Sequence, residues 1–297
     1  MKTADIDVII VNFNAGPLLG ASVQSAFAAG AGRVIVSDNG STDGSIEDLA
    51  NANTNPYLTI IRNGKNLGFA AGCNVGVKSS VAPNLLFLNP DCKVDGAALE
   101  RLLAALRSDA KVGMVGGYLQ NTDGSEQRGG RRRFPTPVDA FKQLFGIRYW
   151  LERLGLHHHQ DRASTEPLPT GPVSVDAISG ACMLIKTEAM EDVGPWDEGY
   201  FLHCEDLDLC KRFALAGWKV IFVPNAIVSH VKGASGGATK VFVELHKHRG
   251  MLRFYKKFYE HTYPRPMMWL VTIGVWCHFA AVALLSSLGP EIKPRSA

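Results

Sequence analysis

From residue 5 to residue 120 the chain alternates short apolar runs with helix-like segments, and this alternation limits the fold more than any other feature. Val8-Ile9-Ile10-Val11, Arg33-Val34-Ile35-Val36-Ser37, Leu58-Thr59-Ile60-Ile61 and Asn84-Leu85-Leu86-Phe87-Leu88 are strand-like, and 112–118 supplies a further strand. Helical patterns lie between them at 17–29, 45–50, 69–78 and 97–107, the second with Ser41-Thr42-Asp43 as its cap. Runs with no polar face belong to strands covered on both sides. The spacing therefore predicts an α/β fold, a mostly parallel sheet with helices on both faces. Sheets of this kind bind ligands at the carboxyl ends of their strands. Here three strands run into Asn12 and Asn14, Asp38 and Asp91, polar residues that folding alone does not require.

At 297 residues the chain has room for one large domain or two smaller ones. A net charge of +3 does not indicate a nucleic-acid partner. The cations are instead crowded late, in Lys240, His246, Lys247, His248, Arg249, Arg253, Lys256, Lys257 and Arg265. Six scattered cysteines without a Cys-x-x-Cys pair favour free thiols over a disulfide framework or a structural zinc. Met1 to Asp7 is charged and leads directly into a strand, so no secretory signal pattern is expected there.

Residues 121–172 are rich in Arg, Gly, Pro and His, with an interrupted helical stretch at 138–154, and read as a long excursion over the active face. Arg131-Arg132-Arg133 could hold phosphates or form a solvated surface; His157-His158-His159 reads as a surface loop. Regular structure is expected again at 173–185, 188–193, 207–216, 219–223 and 226–230. The segment 267–289 has no Asp, Glu, Lys or Arg and is about long enough to cross a bilayer. With the basic run just upstream, the positive-inside rule would put that run and the main body on the cytoplasmic side. A helix buried in a soluble protein or homodimer is the alternative, and His278 in mid-span favours it.

Glu205, Asp206 and Asp208 place three carboxylates within four positions, after an aromatic loop and before an amphipathic helix. Carboxylates are costly to desolvate, so such a cluster needs cations, a metal or a proton to move, and it points to a general base. The alternative is an acidic first turn that complements the helix dipole. Asp208 has a local partner in Arg212, four residues on. Asp206 projects on another face and can address a cleft, with Glu205 about 100° away around the helix.

Several strings resemble glycosyltransferase family 2 in the same order: Asp38-Asn39-Gly40-Ser41-Thr42-Asp43-Gly44-Ser45, Asn66-Leu67-Gly68-Phe69-Ala70-Ala71-Gly72-Cys73-Asn74, Leu88-Asn89-Pro90-Asp91, Ser179-Gly180-Ala181-Cys182-Met183, Trp196-Asp197-Glu198, Glu205-Asp206-Leu207-Asp208 and Ser229-His230. Together they cover about residues 5–232, and within the family they look most like bacterial rhamnosyltransferases of surface-polysaccharide assembly. The resemblance implies a GT-A fold, a nucleotide-diphosphate sugar donor, and a divalent cation, Mg or Mn. It implies that Asn12 and Phe13 line the nucleotide pocket, that Asp38 bonds the base, and that Asn66 and Gly68 border the donor. Asp91 matches the last carboxylate of the family's metal motif, whose first acidic position is Asn89 here. Asp91 and His230 would then hold the metal, and Asn89 would meet a ribose hydroxyl. Asp206 matches the family's base position, with Glu205 as helper or, if the pair is reversed, as the base.

Gly180, Trp196 and Arg132 are the expected acceptor contacts. The expected organisation is a catalytic domain at 1–232, including the excursion at 121–172, a basic helical linker at 233–266 and an apolar membrane-associated helix at 267–289. The expected activity is metal-dependent inverting transfer of rhamnose from a deoxythymidine-diphosphate sugar to a lipid-linked glycan, at the cytoplasmic face of the membrane. Transfer of galactose, glucose or N-acetylglucosamine, or a non-catalytic nucleotide-sugar-binding scaffold, are the alternatives. Nucleotidyltransferases share a related sheet, but the glycine-rich, basic loop they carry after the first strand is missing.

Overall fold

The computed structural model describes residues 3–52, 54–144, 167–231 and 239–288. Its strands are β1 (Thr3–Asn12), β2 (Ala31–Asp38), β3 (Leu58–Arg62), β4 (Asn84–Leu88), β5 (Cys92–Val94), β6 (Val112–Gln120), β7 (Arg131–Arg132), β8 (Val173–Ser174), β9 (Ala177–Ile178), β10 (Cys182–Lys186) and β11 (Lys219–His230). Its helices are α1 (Pro17–Ala28), α2 (Ser45–Ala52), α3 (Phe69–Val77), α4 (Gly96–Arg107), α5 (Pro137–Leu144), α6 (Thr187–Val193), α7 (Glu205–Leu215), α8 (Lys240–Tyr259) and α9 (Arg265–Leu288). The chain divides into two compact units. One holds all the strands with α1–α4, α6 and α7; the other holds α5, residues 202–204, α8 and α9.

The main sheet runs β3-β2-β1-β4-β10-β6-β11-β5, with β8 beside β11. β1 pairs in parallel with β2 and β4, and β2 with β3. β10 is antiparallel to both β4 and β6, and β11 returns to parallel with β6. β5 and β8 are antiparallel to β11, so the sheet is mixed: four of its pairings are parallel, the β3-β2-β1-β4 half entirely so, and four are antiparallel.

Alternate residues of β1 serve opposite faces. Ile6, Val8 and Ile10 join one core with Leu19 and Val23 of α1 and Leu99 and Leu102 of α4. Ile9 and Val11 face α3, whose Gly76 and Gly72 have no room for a Cβ: one would lie 2.5 Å from Ile9 and 2.7 Å from Val11. Burying each such aliphatic side chain contributes about 1.5–3 kcal/mol, which is why these strands read as unbroken apolar runs.

The 219–223 and 226–230 segments form one strand rather than two. Pro224 lacks the N–H a ladder needs, and the chain absorbs it in a register shift between Val223 and Ile227. Gly117 permits this, since a Cβ there would lie 2.4 Å from the Ala226 carbonyl. Beyond the shift, β11 pairs with β5 so that His230 stands opposite Cys92. The acidic helix begins at Glu205, earlier than the pattern indicates, because a first helical turn tolerates carboxylates.

The excursion at 121–172 divides between the two units. Its first part folds back as a hairpin, with Gln120 opposite Glu126, and β7 pairs with β9. Its helix α5 packs with α9 in the other unit. The rest of the 138–154 helical stretch and His157–His159 lie outside the described residues, as do 232–238 and Gly289. All six cysteines are free thiols.

In the second unit α9 is long and apolar enough to cross a membrane, with a mean hydropathy of 1.9 over its most apolar 18-residue window. Trp269, Ile273, Leu284 and Leu285 are exposed on it. His278, the polar residue in mid-span, has a partner: its Nδ1 lies 2.9 Å from Nε2 of His248 on α8.

Candidate active site

The carboxyl ends of β1 and β2 are locked to each other, since Asn12 stands opposite Asp38 in the parallel register. Asn12 Nδ2 lies 3.0 Å from Asp38 Oδ1 and 2.9 and 3.1 Å from the hydroxyls of Ser41 and Ser45, so its two hydrogens are shared among three acceptors. Asp38 Oδ1 also accepts from the Ser41 hydroxyl at 2.6 Å, while Oδ2 accepts from the Gly40 and Ser41 N–H groups, both at 3.2 Å. A carboxylate has about four acceptor positions. Those of Asp38 are met by Asn12 and by its own turn, so in this structure the carboxylate is part of the framework. Asn12 Oδ1 is buried with no hydrogen-bond partner, so one acceptor is left over beside half-buried Phe13.

Asn39, which reads as a turn residue in the sequence, extends this framework. Its Nδ2 donates to the Gly68 carbonyl at 3.0 Å and lies 3.4 Å from Asn66 Oδ1, which in turn accepts from the Gly68 N–H at 2.9 Å. Gly68 has φ +85°, and a Cβ there would come within 2.6 Å of the Phe201 carbonyl. The position thus needs glycine both for conformation and for close approach.

The end of β4 differs. Asn89 donates its backbone N–H to the Ala181 carbonyl at 2.9 Å, and Asp91 is buried. Asp91 Oδ1 has no hydrogen bond, yet it lies 3.2 Å from His230 Nε2. The other ring nitrogen, His230 Nδ1, lies 2.5 Å from Gln127 Oε1. A carboxylate oxygen facing an imidazole nitrogen without a hydrogen bond, both buried, is a donor set that suits a divalent cation. Cys92 joins the same cluster, with ligand atoms within 4.8 Å of one another. Its burial, with Cys182 and the Asp91 charge nearby, pushes the thiol well above its usual range, and a thiol suits a hard cation less well than the oxygen and imidazole beside it. Asp91 and His230 therefore fit a cation.

The 179–181 loop connects this corner to the acidic helix. While Ala181 receives the Asn89 N–H, the Gly180 N–H donates to Asp206 Oδ2 at 3.1 Å. That oxygen also pairs with Arg132, whose guanidinium donates to the Ile178 carbonyl at 3.0 Å. The β7–β9 pairing, Arg132 opposite Ala177, sets this geometry. The Leu207 N–H holds Asp206 Oδ1 at 2.8 Å.

Glu205 and Asp206 are adjacent and oppositely tuned. Burial pushes Asp206 up, but Arg132 and the N–H groups of Gly180 and Leu207 outweigh it and hold the carboxyl below its usual range. Burial, then the Asp206 charge, raises Glu205 to about 8, and its Oε2 is buried without a hydrogen bond. The two environments push in opposite directions, favouring the charged form on Asp206 and the neutral form on Glu205. The two residues before them, His203 and Cys204, have φ 69° and 71°, a left-handed pair of the kind that clusters at functional sites. Asp208 is fully buried, bonded to Arg212 at 2.7 Å and to the Tyr200 hydroxyl at 3.2 Å, so it is structural.

Trp196 is corrected by the structure. It is 1 % exposed, edge-on to Phe69 and Phe87 at 5.7 and 5.1 Å, with its backbone bonded to Asn74. A large indole gains most from the core, so Trp196 supports the site from below and does not face an acceptor. Gly180 and Arg132, the other two expected acceptor contacts, both meet Asp206.

A mixed sheet covered by helices, with a cation-compatible pair and a buried Glu205–Asp206 pair at its loops, is the arrangement of an α/β enzyme. The model for glycosyltransferase like family 2 matches residues 4–251, and the chain belongs to that family. Over 277 residues it is 26% identical to N-acetylglucosaminyl-diphospho-decaprenol L-rhamnosyltransferase of Mycobacterium tuberculosis (strain CDC 1551 / Oshkosh), covering 89% of this chain and 88% of that protein. A 50-residue stretch is 44% identical to rhamnosyltransferase WbbL of Escherichia coli (strain K12), 17% of this chain and 19% of the relative.

The fold is GT-A. The structure superposes with a TM-score of 0.60 on the crystal structure of GalNAc-T7 with UDP, GalNAc and Mn2+, at 17% identity, over 96% of this chain and 51% of the other. The chain thus spans about half the length of that neighbour. A second neighbour, mannosyltransferase PcManGT from Pyrobaculum calidifontis in complex with GDP-Man and Mn2+, has a TM-score of 0.58 at 14% identity, over 97% and 76% of the two chains.

Proposed function

We propose that this glycosyltransferase moves L-rhamnose, with inversion, from deoxythymidine-diphosphate rhamnose to a lipid-diphosphate-linked glycan at the cytoplasmic face of the membrane. The observation that carries the chemistry is the split pair at the start of α7, an ionised Asp206 held by Arg132 beside a protonated Glu205. The acceptor hydroxyl attacks the anomeric carbon while its proton passes to Asp206. The bond from that carbon to the diphosphate breaks, and the nucleoside diphosphate leaves with the electron pair.

Asp91 and His230 would hold the divalent cation, which when bound supplies charge neutralisation to the leaving diphosphate. Asn12, Phe13, Asn66, Gly68 and Asn89 border the donor. Gly180 fixes Asp206 Oδ2, and Arg132 keeps Asp206 ionised at the acceptor side. The rhamnose and the lipid-linked acceptor are supported by the mycobacterial relative's substrate, and the membrane by the exposed apolar surface of α9 next in sequence to the basic α8.

The test is release of deoxythymidine diphosphate from the rhamnose donor, with an N-acetylglucosaminyl-diphospho-prenol acceptor, against a panel of uridine-diphosphate sugars. Turnover should need the rhamnose donor, vanish in EDTA and return with Mn2+ or Mg2+. Turnover that survives EDTA, or that prefers a uridine-diphosphate sugar, contradicts the proposal.

A further inference from the structure

The His230 ring is held by a chain of side chains that runs from the surface into the site. Gln127 is 4 % exposed, and its backbone N–H is fixed to the Leu119 carbonyl at 2.8 Å. Its Nε2 donates to Asn121 Oδ1 at 3.1 Å; Asn121 Nδ2 donates to the Ser125 hydroxyl oxygen at 3.0 Å; and that hydroxyl donates to Asp123 Oδ1 at 2.6 Å. The hairpin that carries them is closed by Asn121 N–H to Ser125 O and Gly124 N–H to Asn121 O, both at 3.0 Å, with Gly124 at φ +84°.

The direction of this chain follows from its outer end. Asp123, held below the usual carboxylate range by the Ser125 hydroxyl, can only accept. The one hydrogen of Ser125 is therefore committed to Asp123, and its oxygen must receive an N–H from Asn121. The Asn121 oxygen then faces Gln127, which must present its NH2 group there. That leaves Gln127 Oε1 toward His230, where an oxygen can only accept. His230 must carry a hydrogen on Nδ1, and in the neutral ring Nε2, 3.2 Å from Asp91 Oδ1, then bears the lone pair. Without a polarised chain the tautomer would be a free choice, and an Nε2–H facing Asp91 would block a cation.

We propose that Gln127 is a positioning residue that selects the Nδ1–H tautomer of His230 and so keeps Nε2 available to a divalent cation. The proposal rests on Asp91 and His230 holding that cation. Neither ligand is hydrogen-bonded or ion-paired to the hairpin residues Asn121, Ser125 or Asp123, so the polar chain reaches His230 through Gln127.

The test pairs ring-nitrogen NMR of 15N-histidine-labelled, metal-free protein with Mn2+ titration followed by electron paramagnetic resonance. His230 is assigned by His230→Asn. Wild type should show a protonated Nδ1 and an unprotonated Nε2. Gln127→Leu should lose this preference and bind Mn2+ about 10–100-fold more weakly. Gln127→Glu, an acceptor toward His230, should keep the tautomer and recover the affinity, and it preserves the test if the leucine variant does not fold. An Nε2–H tautomer in wild type, or a Gln127→Leu protein with unchanged tautomer and Mn2+ affinity, overturns the role of Gln127. Wild type that shows the Nδ1–H tautomer yet binds no Mn2+ overturns the cation site itself, and the proposal with it.

Discussion

Asp38 and Asp91 look alike in the sequence, each an aspartate within two residues of an Asn at the carboxyl end of a buried strand, yet the structure uses them in opposite ways. Asp38 is followed by Asn-Gly-Ser, so the Gly40 and Ser41 N–H groups and the Ser41 hydroxyl curl back onto it, and Asn12 completes the set. Asp91 is preceded by Pro90, which has no N–H, and followed by Cys92, whose N–H goes to the Asn89 carbonyl, and by the rest of β5, which pairs with β11. Its Oδ1 is left buried and without a hydrogen bond, facing an imidazole. Local donor supply decides which acid builds the framework and which is left for a ligand. A buried acceptor without a partner costs about 1–3 kcal/mol, so its presence marks a place where stability is given up.

The same contrast holds at residue scale between Asp206, which is surrounded by donors, and Glu205, which has a buried oxygen without one. The sharpest way to break it is Asp206→Asn, which keeps the shape and removes the charge. Turnover should fall about 10²–10⁴-fold with little change in donor KM, measured as initial rates of nucleotide release. A loss of less than tenfold would mean the proton goes elsewhere.

Glu205→Gln should have a smaller effect, of a different kind. The folded protein holds a proton on Glu205 up to about pH 8, whereas an ordinary glutamate, as in the unfolded chain, releases it near 4.5. The stability tied to that proton is complete below pH 4.5 and is lost as pH rises through about 8. A neutral glutamine removes this slope. Thermal melts at pH 5 and pH 8.5 should show Glu205→Gln gaining on wild type at the higher pH, with turnover at pH 7 within about tenfold. A variant gap that does not change with pH would show that Glu205 is already ionised.

The alternation of apolar runs made the α/β sheet and its parallel β3-β2-β1-β4 half legible in the sequence, because burial on two faces is a local property of each run. The ordered motif strings carried the family. The Asp38–Asp91 difference was not legible, since both strings are turn-like and only three-dimensional donor counting separates them. Trp196 was misplaced because an aromatic next to acids in sequence reads the same whether it faces solvent or, as here, packs beneath the site against Phe69 and Phe87. Gln127 gave no signal, because its partner His230 comes from a strand far away in the chain and meets it only after the hairpin folds back. The split of the 121–172 excursion between two units depends on the packing of α5 with α9, which helix patterning alone does not specify.

The most direct measurement is the rate of sugar transfer as a function of Mn2+ concentration for wild type, Asp91→Asn and Asp38→Asn, each well below its unfolding temperature. Asp91→Asn should need at least about tenfold more Mn2+ for half-maximal rate and reach a lower maximum. Asp38→Asn should track the wild-type Mn2+ curve while its melting temperature drops, as expected for about 1–3 kcal/mol lost from the turn. If the two variants shift the Mn2+ curve alike, or if Asp38→Asn alone shifts it, the division between a framework carboxylate and a cation-binding one is contradicted.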